Sequence, residues 1–550
     1  MTSSTIPDHV KDVQPEERKL EQDASPTASS NPLRTAKSLV LLQLLSRLLT
    51  FSLNQALLRL ASPSVFGTAA IQFDLICSSI LFLSREGIRN ALLRTKSTDQ
   101  IQSKSDSSEK EDVAEKQIQA LSIIPIRLGL FISLILGSIY IYSSDRNTTT
   151  QAYFHTSLGL YILASLMELL VEPLYIQIHR SNPPLLNIRV QAEGGMAITR
   201  SVITVASLVL LGENRALLGF ALGQVGGATW LVVRYLREFD WNVRTLLWSK
   251  SVTVDGENRY NPQTLSLAIA NTGQSLIKHL LTEADRIAVA RICPLDGQGG
   301  YAVAMNYGSL IARIIFQPLE ESLLLHYSTS ISSSRMSGKS SVLRLYSLTI
   351  RSSLYLTCII LTFVPTLYSA ISPILLPRQY QNTTAPAILY LYLIMYIPLM
   401  SLNGLTESFV TSSATPQQIR KQVRWMIASS GIFALTLLSL TKDTKLVSYN
   451  NRPNWSTWIN PTREEALIFS SCSAMLVRIV FSLSHAKDFF GSEMRIINLI
   501  PNMRVTIWGS LVTFVLNTLA QTGRWKNGWK GWVELIGSGG MLGLLTLGFM

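Results

Sequence analysis

Between residues 37 and 549 the chain repeats one pattern, a long apolar run followed by a short polar connection. A helix of about 20 such residues crosses the hydrocarbon core of a bilayer, where each backbone polar group must find its partner within the segment. The runs fall at about 37–60, 65–84, 121–142, 152–177, 185–211, 215–236, 271–291, 300–328, 343–372, 385–411, 419–440, 464–485, 501–521 and 530–549. They predict an all-α, polytopic membrane protein with about 14 transmembrane helices. Only 15% of the residues are charged, against about 25% in soluble domains. The formal net charge of +13 would suggest nucleic acid in a soluble protein. Here Lys and Arg gather in the connections on one side, the positive-inside pattern, so no nucleic-acid partner is expected.

The runs divide the chain. Residues 1–36 are polar and lack an apolar core, which predicts a disordered cytosolic tail rather than a signal peptide. Six spans occupy 37–240, with a charged, Ser-rich insert at 95–118 expected to be disordered. A polar connection, 241–261, leads to six more spans in 262–490 and two final ones in 491–550. The sequons at Asn147, Asn382 and Asn454 lie in the third, ninth and eleventh connections, all on one side. The opposite connections hold Arg94, Lys96, Arg234, Arg244, Lys339 and Arg420. Basic loops in the cytosol and sequons in the lumen agree with an even number of spans and two cytosolic termini.

Span seven departs from the pattern. On a helical wheel Asn271, Ser275, Lys278, Thr282 and Asp285 form one stripe, flanked by His279 and Arg286. Leu276, Leu280, Ile287 and Ala288 lie opposite. A charge at mid-bilayer costs about 2.5–3.5 kcal/mol, and a Leu returns only about 0.5. The stripe should therefore line a protein-enclosed or watery interior. Span one has a second stripe, Gln43, Arg47, Thr50 and Asn54. Spans two and eight both end in paired charges, Arg85-Glu86 and Glu320-Glu321, assigned structural or gating roles. That likeness suggests a duplicated architecture with a cavity between repeats.

Each intramembrane charge also has a plain reading as half of a packing pair. Arg85-Glu86, Arg189 with Glu193, and Glu283 with Arg286 fit it. The stripes exceed what pairing requires, so Arg47, Asn54, Glu193, Lys278, His279, Glu283, Arg286 and Arg313 are the candidate cavity residues. Their excess of cations suits an anion with a lipid tail.

Enzyme readings find little support. SGKSS, Ser337 to Ser341, has Ser333 where a phosphate loop needs its first Gly, so no ATP is expected. There is no zinc spacing, and no metal or other cofactor is implied. Cys77, Cys293, Cys358 and Cys472 show no metal spacing and predict no structural disulfide.

Four segments resemble one family: FLSREGIR (Phe82 to Arg89), AEG (Ala192 to Gly194), QSLIKHLLTEADR (Gln274 to Arg286) and NYGSLIARIIFQPLEES (Asn306 to Ser322). They look like the Rft protein family of the endoplasmic reticulum, associated with translocation of dolichol-linked oligosaccharide. The resemblance implies the multidrug, oligosaccharidyl-lipid and polysaccharide exporter superfamily, with two six-helix lobes, two extra helices and a central cavity. It implies a flippase for a dolichol-pyrophosphate oligosaccharide in the service of N-glycosylation, with that lipid and the surrounding membrane lipids as partners. The alternatives are a non-transporting accessory protein of the same pathway and an ion-coupled antiporter.

The topology is directly testable. Each Asn→Gln change at an occupied sequon should remove one glycosidase-sensitive mass shift. Modification of a sequon engineered into 95–118 would contradict the assignment.

Overall fold

The computed structural model describes residues 52–102, 116–181, 185–239, 241, 260–333, 338–442, 461–494, 503–521 and 529–549. The 1–36 tail, Arg47, most of the 241–261 connection and Asn454 lie outside the described residues. Regular structure among the described residues is helical throughout. Nine helices among them are long and apolar enough to cross a membrane: Pro63–Leu93, Lys116–Ser143, Phe154–Arg180, Asn187–Leu211, Glu213–Glu238, Lys339–Leu375, Ala385–Ser413, Gln417–Thr441 and Arg463–Glu493. Spans seven and eight are helical but polar and interrupted, and helices Met503–Gln521 and Trp529–Phe549 stand where the last two spans are expected.

The helix of span two runs on to Gln102, into the first residues of the 95–118 insert, and the helix of span three starts at Lys116.

Local chemistry sets several helix starts and bends. Asn261, Thr415 and Thr462 accept hydrogen bonds from backbone N–H groups of the first turn, and the latter two form full capping boxes. Two π-helical turns, Ala312–Phe316 and Tyr392–Tyr396, each end two residues before a proline, Pro318 and Pro398. Proline donates no hydrogen bond and crowds the carbonyl four residues back, and a widened turn relieves that crowding. Pro173 follows the break of span four at Val171 in the same way.

Ion pairs bind neighbouring spans. Arg89 grips Glu172 with two hydrogen bonds, one of them at 2.6 Å, and lies 3.8 Å over the Tyr175 ring. Arg85 reaches Glu168 at 3.9 Å, so its partner is on span four and not the adjacent Glu86, which accepts from Asn90 instead. Arg200 joins Asp74 at 2.8 Å, and Arg478 joins Glu407 at 2.7 Å.

The two halves meet in a crossed pattern. Span two packs along span seven, and its first turns lie against span eight. Asn54 and Gln55 of span one donate to Asn306 and Tyr307 of span eight. If spans one and two correspond to seven and eight, a contact of one with eight is the mate of two with seven, as a twofold relation between repeats requires. Close approach depends on glycine: a Cβ on Gly87 would strike Thr272, and one on Gly67 would sit 2.7 Å from the backbone nitrogen of Gly299.

Gly87→Val should therefore lower the midpoint of thermal unfolding in detergent, by an overpacking cost of about 1–3 kcal/mol. Gly194→Ala, where a Cβ meets nothing within 4 Å, should leave the midpoint unchanged or raise it through helix propensity. Equal losses in both would refute the packing role of Gly87.

Candidate functional site

Span seven is broken where its charges cluster. Helix Pro262–Thr282 gives way at Glu283 to helix Ala284–Ile292. The Asp285 carboxylate accepts the Arg286 backbone N–H at 2.8 Å, an acid at the positive end of the second segment. The Arg286 guanidinium turns back to Glu283 at 3.2 Å. Upstream of the break, Asn271, Ser275 and His279 are buried, while Leu276 and Leu280 are exposed, as is Ile287 beyond it. The polar face as far as His279 thus turns into the protein and the apolar face outward, whereas Thr282 of the same stripe is exposed. His279 shares a hydrogen bond of 2.9 Å with Ser79 and stacks on Phe82 at 4.7 Å. The Asn271 side-chain nitrogen is buried and finds no partner among the described residues.

The other candidates scatter. Asn54 bonds Asn306 at 3.2 Å on the seam between spans one and eight. Glu193 pairs with Arg189 at 2.9 Å on an exposed helix face. Lys278 and Arg313 sit on their helices, but their side chains lie outside the described residues, as does Arg47 altogether. Glu320 packs on Gly404, and Glu321 accepts from Gln317 at 3.0 Å. The structure gathers Glu283 and Arg286 with each other and His279 with span two, and does not bring these together with Asn54 or Glu193.

A cavity of about 1170 Å³ opens instead at the end where the odd-numbered connections lie. Its walls come from spans two, three, seven, eight and twelve, and it reaches down to Ser79, the partner of His279. Asn147 and Thr384, from two separate sequons, both line it, so connections three and nine stand at the same end. A chain of hydrogen bonds crosses its wall. Tyr140 donates to Gln72 at 2.6 Å, Gln72 to Gln298 at 2.7 Å, and Gln298 to the Cys293 carbonyl at 2.9 Å. Gln72 and Gln298 are both buried, and they join span two to span eight. Burial pushes the Cys293 thiol well up, with Glu464 adding to the rise and Arg463 opposing it.

Sequence reasoning missed the charged residues of this cavity: Asp145, Arg291, Asp296, Arg463 and Glu464. A signal was present. Arg291 and Arg463 flank spans on the side where the positive-inside pattern expects few cations. Gln72 was legible as an amide inside an apolar run, whereas Gln298 stands in the connection just before span eight.

The Gln72–Gln298 bond yields a sign test. Gln72→Leu alone should destabilise, because it strands the buried Gln298 amide oxygen at about 1–3 kcal/mol, whereas the double change to Leu should recover the part of the loss owed to that oxygen. Thermal unfolding of the purified chain measures both, and a double change no better than the single would remove the bond from the account.

Comparison with known proteins adds the family context. Residues 31–550 match the family described as Rft protein. The Man(5)GlcNAc(2)-PP-dolichol translocation protein of Schizosaccharomyces pombe is 32% identical over 443 residues, covering 75% of this chain and 78% of its own. Its namesake in Saccharomyces cerevisiae is 30% identical over 488 residues, with 81% of each covered. Among solved structures, the lipid II flippase MurJ in an inward closed conformation superposes with a TM-score of 0.57 at 12% identity, over 92% of this chain and 97% of its own, so the two share a fold.

Proposed function

The chain belongs to the Rft protein family, and from that premise we propose that it moves a dolichol-pyrophosphate-linked oligosaccharide from the cytosolic to the lumenal leaflet of the endoplasmic reticulum for protein N-glycosylation. The observation that carries this reading is the likeness, over most of the chain, to relatives named as translocation proteins for that lipid. The chemistry fits. The seam of spans two and seven presents polar groups at membrane depth, and a large cavity opens from it. The protein would lower the barrier for a polar head while the isoprenoid stays in lipid, by rocking of two lobes, residues 37–240 and 262–490, about the seam. Net direction would follow from consumption of the lipid in the lumen, with no nucleotide hydrolysed by this chain. Both termini would be cytosolic and Asn147, Asn382 and Asn454 lumenal.

Within this reading the pyrophosphate is assigned to the cations of spans one, seven and eight: Arg47, Lys278, Arg286 and Arg313. The break at Glu283 supports the assignment, since discontinuous helices are where transporters expose backbone and charge to a substrate.

Two experiments test it. The purified chain alone in liposomes should accelerate transfer of labelled lipid-linked oligosaccharide between leaflets. Binding without transfer would favour an accessory, lipid-holding role, and a requirement for a pH gradient would favour ion coupling. The second is a mutant cycle, read by complementation of an N-glycosylation defect with protein level measured in parallel. If Arg286 contacts phosphate, Arg286→Gln should abolish function, and adding Glu283→Gln should not restore it. If the pair only packs, the single change leaves Glu283 half-buried without its partner, and the double change should rescue.

A further inference from the structure

Four charged side chains stand around the sequon-end cavity without neutralising one another. Asp145 and Asp296 are exposed, Arg291 is exposed, and Arg463 is half-buried. None of the four belongs to an ion pair among the described residues. The arginines are held by neutral oxygens. Arg291 donates to the Ser143 carbonyl at 3.1 Å and to its hydroxyl at 3.0 Å, and Arg463 donates to the Ile292 carbonyl at 3.1 Å. Each guanidinium has five N–H donors, so each keeps several for a ligand. Asp145 occupies a helix N-cap position without making a side-chain cap bond, which leaves its oxygens open. Two donors and two acceptors thus line one chamber without pairing with each other.

The charge balance chooses the ligand. Two exposed carboxylates, those of Asp145 and Asp296, balance the two guanidiniums, and Glu464 beside them is buried. Such a wall does not attract a phosphate dianion. It suits a neutral polyol, whose hydroxyls donate to carboxylates and accept from guanidiniums at once. The volume of about 1170 Å³ exceeds the roughly 300–1,000 Å³ of pockets for single small molecules. We propose that this cavity is a carbohydrate subsite that binds the uncharged sugars of the lipid-linked head, with the pyrophosphate held outside it. The proposal rests on the translocation reading and divides the head between two places, sugars at the sequon end and phosphates at the cations near the break.

The test uses the purified full chain in nanodiscs and three probes. These are the free oligosaccharide released from the lipid and carrying no phosphate, the intact lipid-linked oligosaccharide, and farnesyl pyrophosphate, which has no sugar. Asp296→Asn and Arg463→Gln, close in shape to the native residues, are checked for an unchanged elution profile and unfolding midpoint. The free oligosaccharide should bind the native chain, and each variant should weaken it about tenfold, the loss of one charge-assisted hydrogen bond. Farnesyl pyrophosphate binding should not change. If the free oligosaccharide fails to bind, or binds the variants equally well, while the intact lipid still binds, the subsite is overturned and the translocation reading survives. If the intact lipid does not bind either, both fall.

Discussion

A polar group that leaves water for the bilayer must take its partner with it, and the folded chain is arranged around that demand. Arg89, Arg200 and Arg478 each meet a carboxylate on a different span. Breaking the buried Arg89–Glu172 pair by removing one member costs about 3–5 kcal/mol, more than most apolar contacts return. These pairs therefore determine which helices can be neighbours, and apolar packing fills in around them. The contact of Arg89 with Tyr175 shows the same economy, since one guanidinium serves both a carboxylate and a ring. The amide pair Gln72–Gln298 applies the rule to neutral groups and ties span two to span eight.

Legibility in the sequence followed the range of the interaction. The spans were readable because apolar length is a local property. The inward turn of Asn271, Ser275 and His279 was readable because helical period is local too. The pairs Arg189–Glu193 and Glu283–Arg286 lie within one or two turns and could be named beforehand. Arg85 was read with its neighbour Glu86, although its partner is Glu168 on another helix. Nothing in local spacing encodes that choice. The cavity was hidden for the same reason, because Asp145, Asp296 and Arg463 come from three connections far apart in the chain. The break at Glu283 was hidden differently. Its acids look like part of a continuous stripe, and only the hydrogen bond from Arg286 to Asp285 reveals a new helix start.

The crossed contacts of spans one, two, seven and eight carry the repeat argument further than the paired charges did. Arg85-Glu86 and Glu320-Glu321 look equivalent in sequence, yet Arg85 makes an ion pair with Glu168 while Glu320 packs on the Gly404 backbone. The likeness of the two halves thus survives in how helices meet and is lost in what individual side chains do. One half anchors its charges in ion pairs between spans two, four and five, and the other through spans ten and twelve. Such divergence is what a duplicated scaffold needs if its two faces are to treat one asymmetric ligand differently.

That asymmetry bears on the energetics of moving a lipid-linked oligosaccharide. Each hydroxyl stripped of water without a replacement partner costs about 1–3 kcal/mol, and a buried charge costs more. A head of several sugars and two phosphates cannot cross hydrocarbon unaided on any useful timescale. A protein need not replace every lost bond, because lowering the barrier by about 1.4 kcal/mol already speeds passage tenfold. What it must avoid is a site so complementary that the head stays there. A wall of separated donors and acceptors, open at one end, whose arginines already bond to neutral protein oxygens, binds a polyol without enclosing it. A tightly paired cation cluster would hold phosphate far longer. Placing the sugars in the looser chamber and the phosphates at a helix break that can reorganise gives both parts of the head a route out as well as a route in.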